Sequence, residues 1–95
     1  MMSKIPIDLK NMEGKDIEKE VLRVAIIAEL DAINLYEQMA AMVKDEGIKA
    51  VLKDVADEEK THVGEFLTLL LKLDEKQVEE MEKGSKEVEE ILGGE

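Results

Sequence analysis

Three side chains in this sequence have the types and spacing to hold metal ions. Glu59 and His62 form a Glu-x-x-His pair within DEEKTHVGEF, and Glu29 lies upstream in VLRVAIIAELDAINLYEQMA. Helical positions three apart share a face, so Glu59 and His62 can serve one centre. A Glu from one helix with a Glu-x-x-His from another is half the ligand set of a di-metal carboxylate site. Position strengthens the reading. The helical neighbours of Glu29 are Ala25, Ile26, Ala32 and Ile33, all apolar. A carboxylate on such a face is costly unless it takes up a proton, meets a cation or binds a metal. Glu59 and His62 interrupt a second apolar row, Ile48, Leu52, Val55, Phe66, Leu69 and Leu73.

Carboxylates with an imidazole suit iron or manganese, and zinc or calcium are possible substitutes. Two ions sharing such a site lie roughly 3.5–4 Å apart. His62 must be neutral to ligate, so affinity should fall as pH drops toward about 6.5. Two further residues have two readings each. Tyr36 is two helical turns beyond Glu29 on the same face: a hydrogen-bond donor beside the metals, or a core tyrosine with a satisfied hydroxyl. Asp31 lies off the Glu29 row: part of an access path for cations, or a solvated surface acid. Glu58 and Glu65 flank the second pair but point elsewhere by period. Met39 and Met42 read as packing.

These residues need long helices to position them. Residues 1 to about 15 read as a flexible leader, broken by Pro6, Asn11 and Gly14. Residues 16–73 read as a helical hairpin. Asp16 is the expected N-cap of a first helix from about Ile17 to Glu46, with Gly47 as its stop. A second helix is expected from about Ile48 to Leu73. Its interior Gly64 costs about 1 kcal/mol against Ala. Residues 74–95 read as a C-terminal amphipathic helix and tail. Asp74 caps that helix, Gln77 completes a capping box, and Leu73 and Val78 form a staple. Gly84 and Ser85 mark a kink, and Gly93 and Gly94 end the helix.

Composition narrows the partners. The chain has 95 residues, room for one small domain. Its formal net charge of −11 argues against nucleic acid and against an anionic membrane surface. The absence of Cys excludes disulfides, a zinc ribbon, a thiol nucleophile and a thiolate-bound iron centre. The segment MMSKIPIDLK has no apolar run of signal-peptide type, and no uncharged stretch approaches a membrane span. A cytoplasmic location is expected.

The first helix carries two adjacent apolar rows, from Val21 to Met42 and from Leu22 to Val43. That face is wider than one neighbour needs. A hairpin that apolar cannot cover itself, and a second copy about a twofold axis is the simplest cover. The expected fold is all-α: an antiparallel two-helix hairpin plus a short C-terminal helix, dimerising into a ferritin-like four-helix bundle. Two copies would also supply four carboxylates and two imidazoles, a full di-metal complement.

The two motifs together, AIIAELDAINLYEQMA and DEEKTHVGEF, closely resemble the encapsulated ferritin family over about residues 17 to 80. The resemblance implies two-helix half-ferritins whose dimers build a ferroxidase centre between subunits and assemble into a ring, typically a decamer. It implies oxidation of ferrous iron inside an encapsulin shell, which stores the mineral. The likeness is greatest to the archaeal form fused to the front of the shell protein. By position, Glu29, Glu59 and His62 match the family's metal ligands, Tyr36 its neighbouring tyrosine, and Asp31 an acid on its metal access path. Some members carry an acid where this chain has Ala28, and a Trp where it has Leu35. The tail EEILGGE shows no recognisable cargo-targeting peptide, so location inside an encapsulin nanocompartment is implied by kinship alone.

The expected activity is therefore ferroxidase. One alternative is a structural helical oligomerisation module that binds metal incidentally or not at all. Another is a peroxide-reducing di-iron enzyme like the rubrerythrins; without Cys it would need an external electron donor. A structural module has no reason to bury Glu29. Glu29→Ala should raise the melting temperature of the metal-free protein, since an ill-paired carboxylate is removed. Under the ferroxidase reading it should also abolish iron oxidation, and normal oxidation by that variant would overturn the site assignment.

Overall fold

The computed structural model describes residues 14–93, apart from the Lys15 side chain. Nearly all of the expected leader, and Gly94, fall outside that range. Three helices follow in order: α1 (Lys15–Met42), α2 (Glu46–Leu73) and α3 (Glu75–Ile91). There is no strand among the described residues. The all-α class and the three-helix order agree with the sequence reading.

Two boundaries differ from expectation, for reasons of capping. Helix α1 begins after Gly14, whose φ of 56° suits glycine, and no side chain caps it. Asp16 is inside the first turn instead of at the N-cap. Its charge still complements the helix dipole there. At the other end, α1 stops at Met42, not Glu46. Val43 is extended, with ψ of 152°, and its N–H closes the helix on Met39 O at 3.2 Å.

The early stop follows from Asp45, which caps α2 by accepting from the Ile48 N–H at 2.8 Å. A capping residue adopts extended backbone, so it interrupts the helix before it. Gly47 is therefore in the first turn of α2 rather than a stop for α1. A Cβ at Gly47 would lie 3.2 Å from Asp45 Oδ2, so glycine leaves room for the cap. Lys49 donates to Ala40 O at 2.9 Å and satisfies a carbonyl at the end of α1. The link Val43–Asp45 thus has polar ties on both sides.

The end of α2 at Leu73 and the start of α3 agree with the sequence reading. Asp74 Oδ1 accepts from the Gln77 N–H at 3.0 Å. Helix α3 runs unbroken through Gly84 and Ser85 and ends at Ile91, with Leu92 as its C-cap and Gly93 following at a φ of 74°. Among the described residues, nothing beyond its own helix backbone comes within 4 Å of a Cβ built at Gly64, so close packing among them does not account for that glycine.

The hairpin has almost no core of its own. Among the described residues, Ala40, Ala56 and Leu70 are the buried apolar side chains. Val21, Leu30, Met42, Ile48, Val51 and Leu69 are exposed on the hairpin. The radius of gyration is 16.9 Å, against about 12 Å for a compact chain of this length. The extents of 46 × 45 × 20 Å explain the difference. Two helices of about 42 Å account for one long axis. Helix α3 is about 25 Å long. Asp45→Ala should lower stability by about 1 kcal/mol. The check is the denaturation midpoint at fixed protein concentration; an unchanged midpoint would mean that Lys49 alone holds the turn.

Candidate metal centre

Glu29 and Glu59 are equidistant in sequence from Lys44, in the middle of the link between α1 and α2. In an antiparallel hairpin such residues come level with each other. Each is also near the midpoint of its own 28-residue helix, where ends do not fray. His62 lies one turn further along α2 on the face of Glu59. Helix period and hairpin symmetry therefore bring together residues from two separate segments.

The observed distances are short. His62 Nδ1 lies 3.1 Å from Glu59 Oε1 and 3.4 Å from Glu29 Oε2. One potential ligand atom from each of the three residues lies within 4.8 Å of the others. Among the described residues this is the group of acids and imidazole gathered tightly enough to hold an ion. The side chains of Glu29 and Glu59 are 17% and 20% exposed and that of His62 is 43% exposed. The group therefore opens on one face of the hairpin instead of being enclosed by it.

Glu29 is the least satisfied member. Its Oε1 is buried and has no hydrogen-bond partner. Burial raises the Glu29 pKa above the usual carboxylate range, and the nearby Glu59 adds to the rise; His62 opposes it without cancelling it. Burial alone would lower the pKa of His62. The hydrogen bond and charge of Glu29, with the charges of Glu59 and Glu65, outweigh that and raise it. Two carboxylates thus compete for one imidazole proton while a buried oxygen lacks any partner. A cation would relieve both conditions at once. The donor set of carboxylate oxygens and imidazole nitrogen fits iron or manganese, and the three side chains are too few to fill an octahedral shell.

Tyr36 and Asp31 are outside this group. Tyr36 is half-buried on α1, with its backbone about 10 Å further along the axis. Asp31 is half-buried two positions beyond Glu29. Glu58 and Glu65 are exposed, although Glu65 adds its charge to the field at His62. A clamp beside the centre was not anticipated. Lys60, next to Glu59, lies 2.8 Å from Glu37 on α1 and 3.5 Å from Asp57. The i, i+3 spacing of Asp57 and Lys60 was its only sequence signal.

The pH dependence of the metal-free protein follows from the two raised pKa values. Both groups hold their protons more tightly folded than unfolded, so their contribution is full at low pH and is lost as pH rises through the folded values. The melting temperature without metal should start to fall above the ordinary carboxylate value of 4.5 and go on falling beyond the ordinary imidazole value of 6.5, and His62→Gln should flatten the upper part of that fall. Metal displaces these protons, so the stabilisation it gives should grow over the same range. Thermal denaturation with chelator and with added Mn(II) measures both slopes.

Comparison with known proteins places this geometry in a family. The sequence profile described as EncFtn-like matches residues 6–87. A ferritin-like-encapsulin shell fusion protein of Pyrococcus furiosus is 62% identical over 74 residues, which are 78% of this chain and 21% of the relative. The encapsulin nanocompartment cargo protein EncC of Myxococcus xanthus is 45% identical over 56 residues, 59% of this chain and 43% of the relative. The chain thus spans less than half the length of each of these curated relatives. The crystal structure of the encapsulated ferritin domain from Pyrococcus furiosus superposes with a TM-score of 0.84 at 50% identity, covering 97% of this chain and 99% of that one. A match this long, on a fold this similar, means that the chain belongs to the EncFtn-like family.

Proposed function

We propose that this protein is a ferroxidase that takes Fe(II) as substrate at a site completed by a second copy of the chain. The observation that carries the reading is the meeting of Glu29, Glu59 and His62 on an open face, with one buried carboxylate oxygen lacking a partner. In one copy these residues would supply two negative charges and one neutral nitrogen. Across a twofold axis they would supply four carboxylates and two imidazoles, enough for two ions. The half-exposed His62 and the apolar residues around the hairpin support burial of this face by a like surface.

The role of each side chain follows from charge. Glu29 and Glu59 favour the more highly charged ferric product over the ferrous substrate, which lowers the reduction potential of bound iron. His62 holds an ion through nitrogen once its proton has left. Both Glu29 and His62 must be deprotonated to ligate and both have raised pKa values, so ion uptake is coupled to proton release below those values. Two ferrous ions give two electrons, and dioxygen with two protons accepts them as hydrogen peroxide. Tyr36, on the same face as Glu29, would donate a hydrogen bond near the ions, and Asp31 would attract cations toward them. Ala28 offers no carboxylate to that path.

The names of the two curated relatives support work within an encapsulin compartment, as a cargo or as the ferritin-like part of a larger shell protein. No helix among the described residues is long and apolar enough to cross a membrane. Higher assembly of dimers into a ring, a decamer in the family, fits the scarcity of internal core. Native mass spectrometry before and after anaerobic addition of Fe(II) tests the shared site. Each pair of chains should gain two irons, and Glu59→Ala should gain none. One iron per isolated chain would rule the shared site out.

A further inference from the structure

Helix α3 leaves the hairpin with little to hold its direction. It has no buried residue among its own, and Met81, Val88, Ile91 and Leu92 are 42–81% exposed. Gln77, Val78 and Gly84 are its half-buried positions. One polar residue bridges the gap. Asp74 Oδ1 accepts from the Gln77 N–H at 3.0 Å, while Oδ2 accepts from Arg23 Nη2 on α1 at 3.0 Å. The Asp74 side chain is 12% exposed. Arg23 is fixed in turn, because its Nη1 donates to Glu20 Oε2 at 3.0 Å.

We infer that Asp74 and Arg23 form a strut that sets the direction in which α3 leaves the hairpin. One carboxylate oxygen starts the helix and the other ties that start to α1, so the first turn of α3 is fixed at two points. The planar guanidinium suits this task because its two nitrogens reach Glu20 and Asp74 together, which an ammonium on a flexible stem cannot do in the same geometry. Lys19 adds favourable charge at Asp74 without a comparable contact. The hydrogen bond to Gln77, and then the charges of Lys19 and Arg23, hold the Asp74 pKa below its ordinary value against the effect of burial. The inference is independent of the metal reading, since the strut is at the α3 end of the hairpin.

The absence of Cys makes the test direct. Cysteines introduced at Gln38 on α1 and Lys86 on α3 accept spin labels at two unique positions. Labelled chains diluted into unlabelled protein report the intrachain distance distribution in the native assembly. Arg23→Gln removes the strut and leaves the cap. Asp74→Ser keeps an N-cap and loses the reach to Arg23. Both should broaden the distribution, with the population outside the main peak rising roughly two- to five-fold, the scale of a partly exposed ion pair. Helix content by circular dichroism should stay unchanged in Arg23→Gln, and Arg23→Lys should restore the narrow distribution only in part. A distribution as narrow in Arg23→Gln as in the parent would overturn the inference, whatever Asp74→Ser does.

Discussion

The contact of two carboxylates with one imidazole across the hairpin is the interaction on which this structure turns. Glu29 and Glu59 face each other at the middle of α1 and α2, and His62 lies 3.1–3.4 Å from both. Elsewhere on these faces the chain uses apolar residues. A fold chosen for stability alone would have used them here too, since replacing buried ion pairs by apolar groups is often neutral or favourable. The arrangement instead keeps two acids at an apolar seam and leaves Glu29 Oε1 without a partner. Under the proposed reading, that local cost keeps a place ready for a cation.

The same seam explains why the chain is a poor globule. Buried apolar side chains are few, and two of the three are small alanines. The remaining apolar surface faces outward. In the proposed reading, metal binding and self-association would draw on the same faces of the same helices. A protein of this size could not enclose a di-metal centre alone, because two helices surround nothing. The half-open His62 and the exposed aliphatic rows are two signs of the same incompleteness.

Much of this was legible in the sequence because it depends on helical period. Glu29 among Ala25, Ile26, Ala32 and Ile33, and the Glu59–His62 spacing, are local patterns whose meaning survives without coordinates. The Asp74 cap is equally local. The end of α1 was misread because two stop signals competed. Gly47 suggested a long first helix, yet Asp45 two residues earlier had a stronger reason to act, since its carboxylate could cap α2. The strut from Arg23 to Asp74 spans 51 positions, and no periodicity announces it. The roles proposed for Tyr36 and Asp31 rest on a shared site, which neither pattern nor a single chain defines. Gly64 is likewise unexplained by packing among the described residues.

The link Val43–Asp45 has a consequence beyond joining two helices. Each residue of a helix turns the chain by about 100° and advances it by about 1.5 Å. Sliding α2 by a single position would move Glu59 and His62 only slightly along the axis but would swing them away from Glu29. The link therefore acts as a phase setting. Asp45 fixes where α2 begins counting, and Lys49, reaching back to Ala40, fixes that count against α1. In evolutionary terms the turn is where length can least change: a one-residue insertion there would leave both helices intact, every candidate ligand in place in the sequence, and the three facing different directions.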